Sequence, residues 1–200
     1  MLYRLIKTCC CFVLSILLIT KLAAQQSTTF PIGISVDPGI EKICKKQKNL
    51  NAFTIKEYID DVPEKSGLLS SVPWPLSSMV TINKKDTLCT FINVIAPIGF
   101  QLSFRNDSCF VETFVSSRSC KCFKSKLSDS ALSYGAGTSP DTLILVLSKR
   151  QDLHKGDIIY GYIKTMGGEI YHFPTETPVN YDRQRFEYEG YFKFEFSPLQ

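Results

Sequence analysis

The sequence predicts an all-β protein, an antiparallel β-sandwich of about 8–10 strands with at most one short helix. Two observations support this fold class. Short apolar stretches recur along the 200-residue chain, separated by Gly, Pro, Asn, Asp and Ser. Apolar and polar residues alternate over residues 98–105, which is the period of a half-buried strand. Nothing repeats at a fixed period, and no segment is of low complexity.

Nine short segments have the length and residue types of strands. In chain order they are residues 30–36, 79–82, 87–95, 98–105, 109–115, 142–147, 157–166, 169–173 and 185–196. Residues 142–147 are apolar on both faces, so that strand is expected to be covered on both sides.

Two hairpins are predicted from turn residues. Residues 105–108 read as a turn between the strands at 98–105 and 109–115. Gly167 and Gly168 tolerate the positive φ of a tight turn and are expected to reverse the chain between residues 157–166 and 169–173.

A short helix competes with a strand near residue 52. Four apolar residues fall there at helical spacing: Ala52, Ile55, Ile59 and Val62. Asn51 would cap the helix and Pro63 would end it. The same segment also suits a strand, and the sequence leaves both open.

The C-terminal segment has the clearest two-faced pattern in the chain. Its aromatic residues occupy even positions and share one face of an extended strand: Phe186, Tyr188, Phe192, Phe194 and Phe196. Gly190 leaves a gap in that face, which a bulge or a large neighbour is expected to fill. We therefore expect this strand to belong to the core.

The first 24 residues have the pattern of a cleavable secretory signal. Arg4 and Lys7 precede an apolar run that Lys21 ends after about a dozen residues, and Ala23 and Ala24 follow. The run is shorter than the roughly 20 residues of a membrane-spanning helix, so no membrane anchor is predicted. The mature protein, residues 25–200, would form a single disulfide-bonded domain that is extracellular, or periplasmic in a bacterium.

Charge argues against nucleic acid as a partner. The whole chain carries a formal charge of +4. Three basic residues and no acid leave with the signal, so the mature chain keeps 20 of the 23 basic residues and all 19 acidic residues. A near-neutral protein lacks the basic footprint that nucleic acid or an acidic membrane would need.

The mature chain keeps five of the eight cysteines. They are the disulfide candidates Cys44, Cys89, Cys109, Cys120 and Cys122. An oxidising compartment should pair most of them. Because five is odd, one would stay free or link two copies of the chain into a dimer.

Cys120 and Cys122 are only two residues apart. In an extended chain their Cα atoms would be about 6.6–7.2 Å apart, at or beyond the limit for a disulfide. Each is therefore expected to bond elsewhere. A thiolate metal pair is the alternative, but a zinc site needs four ligands.

No catalytic or cofactor motif is present. His154 and His172 are the only histidines and lie too far apart for a His-Glu-x-x-His helix. No Gly-x-Ser-x-Gly elbow occurs, although a dispersed triad stays open. Gly135 and Gly137 lack the flanking strand and helix of a nucleotide site, so residues 134–138 are expected to form a loop. We expect no enzyme activity, no cofactor and no metal.

Three features are candidates for modification or partner binding. Four basic residues fall within nine positions and form either a docking patch for an acidic partner or a solvated loop: Arg118, Lys121, Lys124 and Lys126. Trp74 lies between two prolines and either meets a partner or, as we prefer, packs as a lid. Asn106 begins an Asn-x-Ser glycosylation signal at a predicted hairpin tip.

The favoured function is a secreted, non-enzymatic protein that binds a protein or glycan partner or belongs to an extracellular matrix. The alternative is a carrier of a small apolar ligand between the sheets, where 14 Phe and nine Tyr would line a pocket. The expected sandwich is immunoglobulin-like or jelly-roll-like. Residues 153–160 resemble the loop-to-strand corner of immunoglobulin-like and fibronectin-type sandwiches, a stretch too short to imply a ligand.

Overall fold

Two β-sheets enclose one core, which confirms the predicted all-β, sandwich-like fold. The computed structural model describes residues 34–64, 73–83, 86–93, 98–105, 108–149, 156–174 and 180–196. Within these ranges the elements are β1 (Ile34–Val36), α1 (Ile40–Cys44), β2 (Ala52–Ile59), β3 (Val62–Pro63), β4 (Trp74–Pro75), β5 (Ser77–Asn83), β6 (Asp86–Ile92), β7 (Ile98–Arg105), β8 (Ser108–Ser116), β9 (Phe123–Lys124), β10 (Gly135–Thr138), β11 (Pro140–Leu147), β12 (Ile158–Gly167), β13 (Ile170–His172) and β14 (Asp182–Glu195).

The smaller sheet is an antiparallel meander of five strands in the order β10-β8-β7-β6-β5. Arg105 pairs with Ser108 and Phe104 with Cys109, so the first predicted hairpin is confirmed. The expected loop at residues 134–138 is wrong, because most of it is strand β10 on β8. A Cβ on Gly137 would meet the Glu112 carboxylate, the end of an exposed and flexible side chain.

The larger sheet has nine strands arranged around the long strand β14. β12 pairs with residues 187–195 of β14 along one edge, and β2 pairs with residues 184–190 along the other. β11 lies beside β12, and β1 closes that side by pairing in parallel with β11.

The second predicted hairpin is wrong, because Gly167 and Gly168 form a bulge rather than a turn. Met166 pairs with Glu187 and Ile170 with Gln184, so four steps along the chain match three along β14. The chain therefore has one extra residue at this point, which is the signature of a β-bulge. Because β2 occupies the opposite edge of β14, β12 and β13 lie end to end along the same edge. A Cβ on Gly167 would run into Oγ1 of Thr113 in the other sheet, so the close approach of the sheets requires glycine here.

The core is a layer of aromatic rings between the sheets. Phe91 and Phe100 of the smaller sheet stack with ring centroids 4.8 Å apart, and Phe192 meets Phe91 edge-on at 5.1 Å. Offset and edge-to-face contacts of this kind add to the burial of the rings themselves.

The prediction for the C-terminal strand is confirmed. Four of its even-numbered aromatic residues are buried, and Phe196 packs against the core while partly exposed. Phe53 of β2 fills the gap at Gly190, where a Cβ would lie 2.8 Å from the Phe53 ring.

Two element predictions are corrected. The segment at residue 52 is strand β2, because Phe53 and Ile55 alternate toward the core while the backbone pairs with β14. The one helix in the described ranges is α1, twelve residues earlier and not predicted. β11 is covered on one side only, since Ile144 on its outer side is 51% exposed.

Several predictions fall outside the described residues. These are the signal at residues 1–24, the mature start at Gln25, Asn106 and His154. Within the ranges that the structure describes, no helix is both long and apolar enough to cross a membrane.

Candidate ligand-binding cleft

Tyrosines gather on the outer face of the larger sheet. In β12 the buried residues Ile159 and Ile163 alternate with Tyr160 and Tyr162, so the tyrosines face away from the core. In β14, Tyr191 lies on the same outer face, between the buried Phe192 and the inward-facing Gly190. The strand period of two therefore separates an aromatic core from a tyrosine-bearing surface.

Tyr162 and Tyr191 form the centre of this surface. They are direct cross-strand partners in the β12–β14 ladder, and their ring centroids are 5.0 Å apart with an angle of 47° between the planes. Cross-strand aromatic pairs stabilise a sheet, and both rings remain half-buried. The pair offers a partly exposed aromatic floor.

Glu189 lies beside this floor and is held from two sides. The Tyr162 hydroxyl donates a 2.9 Å hydrogen bond to one carboxylate oxygen, and Lys164 Nζ lies 3.0 Å from the other. The hydrogen bond from Lys164, followed by that from Tyr162, lowers the pKa of Glu189. Burial, followed by the bond to Glu189, raises the pKa of Tyr162 to about 12. At neutral pH the cleft therefore contains an anionic Glu189 and a neutral Tyr162.

The chain after α1 forms one wall of the cleft. α1 lies over the outer face, where Cys44 Sγ donates to the Gly161 carbonyl at 3.5 Å. Asn51, at φ +63°, then anchors the wall to β14: its backbone N–H donates to the Tyr191 carbonyl at 3.0 Å, and its side-chain oxygen accepts from Lys193 N at 2.8 Å. A residue in the left-handed region is commonly Asn, so Asn51 suits this turn rather than the predicted helix cap.

Between this wall and β2 the structure has an open cleft of about 580 Å³. Tyr162, Glu189 and Tyr191 line its floor, and Lys46, Gln47, Lys48 and Asn49 line the wall. Aromatic rings beside a few well-placed polar groups are typical of binding sites for small molecules. The cleft joins a partly exposed pair of tyrosine rings to one carboxylate and several N–H donors.

The sequence-predicted cysteines occupy three different environments. Cys120 and Cys122 are bonded to each other, with Cα atoms 5.5 Å apart. The prediction that each bonds elsewhere is therefore wrong: the chain between them is not extended, which brings the Cα atoms into the usual disulfide range.

The other three cysteines are buried free thiols: Cys44, Cys89 and Cys109. Cys89 and Cys109 lie on β6 and β8 with β7 between them. Two strand spacings are about 9.6 Å, beyond the reach of a disulfide. Burial raises the pKa of Cys109 to about 12 and raises that of Cys89 as well, with burial again the largest cause.

The four predicted cations have different surroundings. Lys121 Nζ lies 5.5 Å from the centre of the Tyr134 ring. Lys124 turns inward, donating to the Asp129 carbonyl at 2.7 Å and lying 5.4 Å from the centre of the Phe173 ring. Arg118 and Lys126 are exposed. Lys126 lines a smaller cleft together with Asp141 and Glu169, which form ion pairs with Arg185 and Arg183.

Trp74 and His172 both contact the body of the protein. Trp74 pairs with Phe53 through β4 and packs, partly buried, against the core, which is the lid arrangement. His172 lies in β13, with its ring 5.1 Å from that of Phe123. Both residues stand outside the tyrosine cleft.

The sequence reasoning missed the cleft. The alternation of Tyr160, Tyr162 and Lys164 with apolar residues does place them on one polar face of a strand. The pairing of Tyr162 with Tyr191 and the position of the wall at residues 46–49 depend on contacts between distant parts of the chain.

The described residues contain no cluster of three or more His, Cys, Asp or Glu side chains that could hold a metal ion. Comparisons with protein-family models, with curated proteins and with solved structures found no match to this chain.

Proposed function

We propose that this protein is an exported, non-enzymatic binding protein that recognises a glycan in the tyrosine cleft. The observation that carries the proposal is the Tyr162–Tyr191 pair with Glu189 at its side. Export rests on the sequence of residues 1–24 alone.

The chemistry of the cleft matches that of a sugar ring. A pyranose has one face of C–H groups, which packs on an aromatic ring, and a rim of hydroxyl groups, which both donate and accept hydrogen bonds. Tyr162 and Tyr191 supply the apolar surface. Glu189 is an acceptor, and Asn49 and the lysines of the wall are donors. The open shape leaves room for a chain that continues beyond one ring.

The charge state of Glu189 favours binding over hydrolysis. Most glycosidases need a carboxylic acid whose pKa is raised, so that it can protonate the leaving oxygen. Lys164 and Tyr162 lower the pKa of Glu189 instead. Glu57 does have a raised pKa, chiefly from burial, but it lies on the inner side of β2 opposite Phe186 and away from the cleft.

The packing between the sheets argues against the alternative function, a carrier of an apolar ligand. Phe53, Phe91 and Phe100 are buried and in mutual ring contact at centroid distances of 4.8–5.9 Å, and the buried Tyr188 contacts Phe100 at 5.7 Å. These rings fill the centre of the described interior, where a carrier would need space.

The test is a glycan array followed by calorimetry on the best-bound oligosaccharide. Tyr191→Ala should weaken binding about tenfold or more, because an aromatic contact at the centre of a site contributes strongly to affinity. Tyr58→Ala is the matched control, since Tyr58 is a half-buried tyrosine on the same face that bonds Glu187 at 2.9 Å outside the cleft. Equal losses in both variants, or no bound glycan at all, would contradict the proposal.

A further inference from the structure

We infer that the glycan is anionic and that its carboxylate or sulfate group binds at Lys46 and Lys48. The inference rests on the proposed function and names the ligand class of the same cleft. The wall is positively charged, because the sequence Lys-Lys-Gln-Lys at residues 45–48 follows α1 directly.

The charge of the two wall lysines is not used within the described part of the protein. Lys45, the neighbour of Lys46, forms a 2.6 Å ion pair with Glu41 and lies over the Tyr160 ring. Lys46 and Lys48 have no ion pair there, and both are exposed at the cleft. Their ammonium groups are therefore available to a ligand.

The single acid in the cleft lining does not cancel this charge. Among the described lining residues Glu189 is the only carboxylate, and Lys164 and Tyr162 already hold its two oxygens. The Glu189–Lys164 pair is neutral as a unit, so the lining has an excess of two positive charges. An acidic sugar that stacks on the tyrosines would place its acid group toward this wall.

The loop at residues 118–126 lacks this combination. Its Lys124 is bonded internally. Lys126 lines a cleft with Asp141 and Glu169, which are paired with Arg185 and Arg183. No tyrosine pair lies in that cleft among the described residues. Exposed lysines without an ion pair and a pair of tyrosine rings line the same cleft only beside the wall after α1, among the described residues, so the wall is the better anion site.

The experiment compares three hexasaccharides in calorimetry on the full mature chain: a heparin fragment, an oligogalacturonate and neutral cellohexaose. At least one anionic probe should bind ten times more tightly than cellohexaose, and the difference should shrink as salt screens the charges. The double variant Lys46→Glu/Lys48→Glu should weaken the anionic probe at least tenfold. Lys46→Gln/Lys48→Gln should show the same direction with a smaller loss, and a melting curve checks that each variant is folded.

The matched control is Lys121→Glu/Lys126→Glu, which makes the same change of charge on the other loop and should leave affinity unchanged. Loss of binding in this control but not in the wall variant would overturn the inference. Binding of cellohexaose with equal affinity, unaffected by the wall variant, would overturn it while leaving the proposed function intact. Failure of every oligosaccharide to bind, on this set and on the array, would overturn both.

Discussion

Tyr162 has two roles, since its ring forms the floor of the cleft and its hydroxyl holds Glu189 in place. The two roles can be separated by pH. Burial and the Glu189 bond raise the pKa of Tyr162 to about 12, whereas an unfolded tyrosine ionises near pH 10. The raised pKa therefore stabilises the fold fully below about pH 10. This stabilisation is lost as pH rises through about 12, because the Tyr162 hydroxyl loses its proton at lower pH in the unfolded chain than in the folded protein.

Tyr162→Phe should therefore make the free energy of unfolding fall less steeply between pH 10 and pH 12. The change in slope should correspond to less than one proton released on unfolding. Other tyrosines with raised pKa, such as Tyr58 and Tyr171, keep part of the decline. Urea titrations at pH 9, 10 and 11 provide the measurement. Parallel curves for the wild type and the variant would show that this hydroxyl titrates as it does in the unfolded chain.

At the scale of elements, the bulge between β12 and β13 lies very close to the opposite sheet. Its backbone approaches Thr113 of β8 so closely that a Cβ on Gly167 has no space. Gly167→Ala should lower the free energy of unfolding by about 1–3 kcal/mol, the usual cost of overpacking a tight site. Urea denaturation measures the loss.

Two variants test the steric cause of that loss. Gly39→Ala should cost less than about 0.5 kcal/mol, because Gly39 has φ −64° and an added Cβ would meet only the Asp37 carboxylate. Adding Thr113→Ala to Gly167→Ala should recover part of the loss, since it removes the clashing hydroxyl. If the double variant loses as much free energy of unfolding as the two single variants lose together, a clash at Thr113 is ruled out.

The whole molecule depends on β14, which pairs with β12, β13 and β2 and carries a row of rings into the core. Phe194 is 2% exposed and contacts Phe91 and Phe104 of the opposite sheet. Phe194→Ala should cost about 3–5 kcal/mol, a large part of a typical stability of about 5–15 kcal/mol. Glu195→Ala, at an exposed neighbour, should cost less than about 0.5 kcal/mol.

Deleting residues 185–200 should prevent soluble production, because the larger sheet would lose its central strand. The yield of soluble protein and its melting temperature are the measurements. A truncated chain with normal yield and an unchanged melting temperature would place β14 outside the cooperative fold.

Local pattern was enough to predict much of the fold. The period of two in β7 and β14 identified each strand and its buried face, because alternation follows from the geometry of an extended chain. The same period predicted a gap at Gly190 to be filled by a bulge or a large neighbour, but did not decide between them or identify Phe53. The sequence by itself also determined the expectation of export, through the charge and apolar length of residues 1–24.

The tertiary structure decided what depends on distant contacts. Residues 52–59 suited helix and strand equally, and pairing with β14 made them a strand. Gly167 and Gly168 suited a turn, but the residues on both sides of them pair with the same strand β14, which makes the segment a bulge. The cleft also depends on distant contacts, since its floor and wall come from segments far apart in the chain. Strand pairing and the packing of one sheet on another are set by residues that no local window contains.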